Sequence, residues 1–158
     1  MAQLRTRAHD FFDTHVVPSV EEWRKNPTDL RLAMNAAVAL NQMPDHFWHA
    51  YSVAEPHRVF GSKTVGAFRD ALATQRPAFG LLRDVAEAHK HVKLNRPVRA
   101  ISSAGQTVVG SLGHGEAEYG VSIYGGGPEV VVSLDTGERR HFSALVEETM
   151  KMWGTLLK

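Results

Sequence analysis

The chain has 158 residues, no cysteine, and 18 basic against 17 acidic side chains, for a formal charge of +1. Hydrophobic residues make up 43% and charged residues 22%, proportions of an ordinary globular domain that exclude a collagen, a wholly disordered chain and a disulfide scaffold. Without cysteine there is no thiolate nucleophile, no Cys-ligated zinc and no iron–sulfur cluster. No apolar run reaches the roughly 18 residues of a membrane span. The opening MAQLRTRAHDFF lacks the apolar region of a signal peptide, so a cytoplasmic protein is expected.

The first ninety-odd residues read as helices. Leu4, Ala8, Phe11, Phe12 and Val16 recur at helical spacing and predict a helix over 2–17. Pro18 is expected to kink or restart it, with Ser19 and Glu22 as a capping box. A second helix over 27–43 starts cleanly: Asn26 can cap, Pro27 suits the first turn, and Asp29 complements the positive helix end. Pro44 is expected to kink or divide it, with a continuation over 45–53. Val65, Phe68 and Leu72 predict a shorter helix over 63–74. Leu81, Val85, Ala88 and Val92 form a narrow stripe on another, over 78–93, ending before Pro97.

After Asn95 the pattern changes. Val98, Ala100 and Ser102 alternate with Arg99 and Ile101, predicting a strand over 97–103. Eight glycines fall between Gly105 and Gly127, a stretch that also carries Tyr119, Val121 and Ile123 in alternation, a strand over 118–124. Glu129–Leu134 is the strongest strand, and Asp135-Thr136-Gly137 turns it toward a strand over 138–142. A last helix over 143–156 is apolar over a wide arc, so it must pack on the bundle or on a partner. The fold class is therefore α+β in a single domain: a helical bundle over 1–95, a small antiparallel sheet with a Gly-rich loop over 97–142, and a C-terminal helix over 143–158.

Charge is unevenly distributed. Residues 1–60 carry 6 basic and 7 acidic side chains, residues 61–99 carry 8 and 3, and residues 100–158 carry 4 and 7. The middle segment, at +5, can attract phosphate, or dock on the acidic last third of the chain. Within it, Arg83-Asp84-Val85-Ala86-Glu87-Ala88-His89-Lys90-His91 is the densest polar run on a predicted helix. Its helical wheel places His89 at the edge of the apolar stripe, Asp84 and His91 on the other flank, and Arg83 and Lys90 outward. Glu87 and His91 fall at the i, i+4 spacing of a pair, as do Arg83 and Glu87.

Arg83, followed by the polar Asp84 and, after five intervening residues, by His89, resembles the motif of the HEPN superfamily, the higher eukaryotes and prokaryotes nucleotide-binding domains. The resemblance covers roughly residues 1–95. It implies a dimer of helical bundles that binds RNA or nucleotides and acts in some members as a metal-independent ribonuclease, with no cofactor. Arg83 and His89 would then be catalytic, with Asp84, Lys90, His91 and Lys93 as binding residues. The chemistry is coherent: histidine moves protons near neutrality, and arginine holds phosphate through two hydrogen bonds. The two side chains lie about 120° apart on a helix, so their convergence needs arginine's length or a second subunit.

Two other readings come from the residues alone. The helix is equally an ordinary charged surface within a non-catalytic dimeric interaction module. Asp45, His46 and His49 beside His89 and His91 are a possible donor set for zinc or nickel in a bundle core. Gly61-Ser62-Lys63-Thr64 lacks the earlier glycine and the preceding strand of a phosphate-binding loop, and no nucleophile-elbow motif frames Ser102, Ser103 or Ser111 near His114.

Overall fold

In the computed structural model the described residues are 5–110 and 127–158, and the predicted strand over 118–124 lies outside them. Helix α1 (Arg7–Phe11) runs through a π-helical turn (Phe12–Val16) into α2 (Val17–Lys25). The expected restart at Pro18 does not occur. Proline cannot donate a helical hydrogen bond, and its ring crowds the carbonyl one turn back. The wide turn lies immediately before it, with the Val17 N–H bonded to Phe12 O. One extra residue in that turn gives the ring room and lets the helix pass, so Ser19 and Glu22 are interior positions and not a cap.

Helix α3 (Leu30–Tyr51) begins three residues later than expected: Asn26 closes α2 instead of capping α3, and the N-cap is Asp29, whose carboxylate accepts the Leu32 N–H at 3.1 Å. It also passes through its proline without dividing. Pro44 is buried, and Met43, Phe47 and Tyr51 on either side of it are all core residues. Burying that face outweighs one lost backbone bond. Helices α4 (Val65–Gln75) and α5 (Pro77–His91) form a tight antiparallel pair joined by Arg76. Gly80 of α5 sets their separation, because a Cβ there would lie 3.2 Å from the Ala73 carbonyl oxygen of α4.

Strands β1 (Thr107–Gly110), β2 (Glu129–Ser133) and β3 (Arg139–His141) form an antiparallel sheet in sequential order, with Val131 opposite both Val108 and His141. Helix α6 (Phe142–Leu156) follows β3 directly. Its broad apolar face is used inside the chain: Phe142, Leu145, Val146, Met152 and Trp153 are buried against α5, α3 and β2. That breadth therefore requires no second copy. The architecture is α+β, a helical bundle with a small sheet and a C-terminal helix. Among the described residues no helix is long and apolar enough to cross a membrane.

Phe47 of α3 and Trp153 of α6 centre the core, with ring centroids 5.7 Å apart. Phe68 of α4 stacks on Phe47 at 5.8 Å and Phe79 of α5 meets Trp153 edge-on at 6.2 Å, so four helices share one aromatic cluster. The far end of α6 is closed by side chains: Arg58 donates to Leu156 O, and His9 Nε2 lies 2.9 Å from Leu157 O. These contacts occupy carbonyls that a helix end leaves free.

Two outcomes follow. Trp153→Ala removes the ring common to α3, α5 and α6, and should cost about 3–5 kcal/mol in chemical denaturation. His46 stacks on Phe11, with centroids 3.7 Å apart. Burial pulls its pKa below the ordinary value, Asp45 opposes this, and His15 and His49 reinforce it. A base depressed in the fold contributes stability that is complete above its unfolded pKa of about 6.5 and is lost as pH falls through the folded value. The melting temperature of the native protein should therefore fall more steeply below about pH 6.5 than that of His46→Gln.

Candidate functional site

The site grows out of the α4–α5 pair and the segment that follows it. Helix α5 ends at Val92, whose φ of 66° is rare for a β-branched residue. The chain then makes an excursion closed at its base. Leu94 N–H donates to Ser102 O at 2.8 Å, Lys93 bridges Ser103, and Ala104 N–H donates to Val92 O at 2.9 Å. The tip, residues 96–100, folds back on α5. Asp84, only 5% exposed, holds it there: one carboxylate oxygen accepts from Arg96, and the other accepts the Ala100 N–H at 2.6 Å.

This contact explains why 97–103 is not a strand. Ala100 gives its N–H to a side chain, and the described residues pair no strand with 97–101. The expected alternation is absent: Val98, 87% exposed, is followed by the exposed Arg99, and Ile101 is fully buried. The sheet begins instead at Thr107.

Between α4, α5 and this tip lies a groove of about 650 Å³. Ala73, Pro77, Gly80 and Leu81 give it an apolar floor. Three arginines line it, Arg83, Arg96 and Arg99, against two carboxylates, Asp70 and Asp84. Arg83 donates through Nη1 to Asp70 at 2.7 Å. Arg96 is committed to Asp84. Arg99 donates to Ser102 Oγ at 3.2 Å and to the Arg96 carbonyl, and its charge contact with Asp135 is long, at 4.0 Å. Asp135 is held below its ordinary pKa by hydrogen bonds from Ser102 and Gln106. Burial raises the Asp84 carboxyl above its ordinary pKa, more than the Ala100 N–H, Arg96 and Arg83 lower it.

The structure separates the residues singled out in the sequence. Arg83 is not outward-facing: its side chain is 15% exposed and turned toward α4, so it pairs with Asp70 and not with Glu87. Glu87 instead accepts from Asn41 at 3.0 Å and lies 3.5 Å from His91, which realises the expected i, i+4 pair. Asp84 is a buried anchor. His89, placed by the helical wheel at the core edge, is exposed at the C-terminal end of α5, along with Lys90, His91 and Lys93. Arg83 lines the groove and His89 does not. Sequence reasoning passed over Asp70, Arg96 and Arg99, although the +5 charge of residues 61–99 was a signal for the two arginines.

The histidine-rich end of α3 does not assemble as a donor set. Asp45 is paired with Arg69, His46 is stacked on Phe11, and among the described residues no three His, Asp or Glu side chains gather to hold a metal ion. No family model, curated protein or solved structure matches the chain.

Asp84 is the member of the site with the largest structural role. Asp84→Ala leaves Arg96 and the Ala100 N–H without their acceptor and should cost about 3–5 kcal/mol in denaturant unfolding. Asp84→Asn, which retains one acceptor oxygen, should cost clearly less.

Proposed function

We propose that the groove binds the phosphate group of a nucleotide or RNA, and that the protein is a nucleotide- or RNA-binding domain working without hydrolysis. The observation that carries this reading is the convergence of Arg83, Arg96 and Arg99 on a pocket with an apolar floor. Arginine is the side chain suited to phosphate, being permanently charged, planar and able to donate two parallel hydrogen bonds. The floor suits a flat ring, and the volume falls within the range of about 300–1,000 Å³ typical of small-molecule pockets. The N-terminal turn of α5, which borders the groove through Pro77, has no acidic residue and no side-chain cap, so its positive end is not neutralised locally. Lys90 and Lys93, exposed beyond the groove, would attract the rest of a polyanion.

Within one chain His89 is not among the residues lining the groove beside Arg83, so ribonuclease action there would need a second subunit to supply the histidine. Binding is therefore the better-supported half of the nucleotide-binding reading.

Fluorescence titration with single-stranded RNA and with a mononucleotide, in chelator, tests this. Affinity should fall with salt. Arg83→Ala and Arg99→Ala should each weaken it by about tenfold, the scale of one lost charge-assisted hydrogen bond. His89→Ala should leave it unchanged, and the RNA should remain intact. Absence of binding by the native protein at low salt would remove the proposal. Cleavage lost in His89→Ala would replace it with the ribonuclease reading.

A further inference from the structure

The three groove arginines differ in what a ligand must displace. Arg96 is fixed to a buried carboxylate and is not free to change partner. Arg99 donates to two uncharged acceptors, Ser102 Oγ and the Arg96 carbonyl, and its charge contact with Asp135 is long, at 4.0 Å. Arg83 has a close partner, but an asymmetric one: Arg83 is 15% exposed, whereas Asp70 on α4 is 71% exposed. Packing holds the guanidinium in place, and the carboxylate can rotate into water. The exposed carboxylate, and not the packed guanidinium, is therefore the member that another anion can replace.

We infer that the groove selects a phosphomonoester, a terminal phosphate, over an internal phosphodiester, with Asp70 as the resident anion that the ligand displaces from Arg83. This rests on the phosphate-binding reading above and adds the class of phosphate. A phosphodiester carries one negative charge, so replacing Asp70 exchanges like for like. A phosphomonoester carries about −1.5 to −2 near neutral pH and gains on the exchange. Two cations can be recruited, Arg83 and Arg99, which matches a dianion. The terminal phosphate of a mononucleotide and that of an RNA end share this chemistry.

Calorimetric titration of the full chain with adenosine 5′-monophosphate and with its methyl phosphodiester tests the inference. The monoester should bind the native protein roughly tenfold more tightly, the order expected for one further charge at contact under near-aqueous screening. Its affinity should decline below about pH 6, where the second phosphate proton returns, while that of the diester stays flat. Asp70→Asn should leave the melting temperature unchanged and tighten both ligands by a similar factor, keeping the preference for the monoester, because the cost of displacing Asp70 from Arg83 is common to both. A parallel pair of RNA oligonucleotides, with and without a 5′-phosphate, identifies the source; tighter binding of the phosphorylated RNA or of the mononucleotide supports the inference equally. Equal affinities for monoester and diester in the native protein would overturn it while leaving phosphate binding intact. An Asp70→Asn variant that binds both ligands no more tightly than the native protein would overturn the role of Asp70. If neither ligand nor either RNA binds, the phosphate-binding reading fails, and this inference with it.

Discussion

The candidate site depends on one buried carboxylate. Asp84 sits on the inner side of α5 and fastens the tip of the following excursion through Arg96 and the Ala100 N–H. Without that contact the tip would have no polar anchor on the helix, and the groove would lose its wall of Arg96, Pro97 and Arg99. The arrangement is costly, because burial disfavours the charged form of Asp84 and raises its pKa. A carboxylate kept buried against that penalty fixes geometry more than it adds stability. What it fixes here is the position of two arginines.

The other wall is rigid for a different reason. Helices α4 and α5 approach so closely at Gly80 and Ala73 that a Cβ at Gly80 would sit only 3.2 Å from the Ala73 carbonyl oxygen and press the two apart. Both helices contribute an aromatic ring to the cluster around Phe47 and Trp153. The groove is thus formed by a well-packed helix pair on one side and a short loop on the other. Its charges follow the same division. Arg83, on the rigid wall, is largely buried, while its counterion Asp70 projects into solvent. An anion entering the groove would meet a preorganised cation whose present partner is exposed, and preorganisation of this kind lowers the ordering cost of binding.

Much of the local structure could be read from the residues. Pro77 opening α5, the valine run of β2 and the turn at Asp135–Gly137 are short-range signals, each set by backbone geometry; the start of α3 was legible only to within a turn, its cap being Asp29 and not Asn26. Glu87 and His91 likewise met as their spacing required. The α+β class followed from the change in hydrophobic period after Asn95.

Tertiary structure decided what depends on distant partners. Pro18 and Pro44 are breakers by local rule, yet both helices continue, because a wide turn relieves the first and a buried apolar face on α3 overrides the second. The alternation over 97–103 looked like a strand, but strand pairing needs a neighbour, and here a side chain sixteen residues earlier took the backbone N–H. Arg83 could have paired with Glu87 on its own helix, and only the packing of α4 against α5 brought Asp70 to it. The charge of the middle segment, the helices and the strongest strand were fixed by the sequence through local physics. Which arginines share a groove, and which carboxylates hold them, came from long-range packing that no spacing rule encodes.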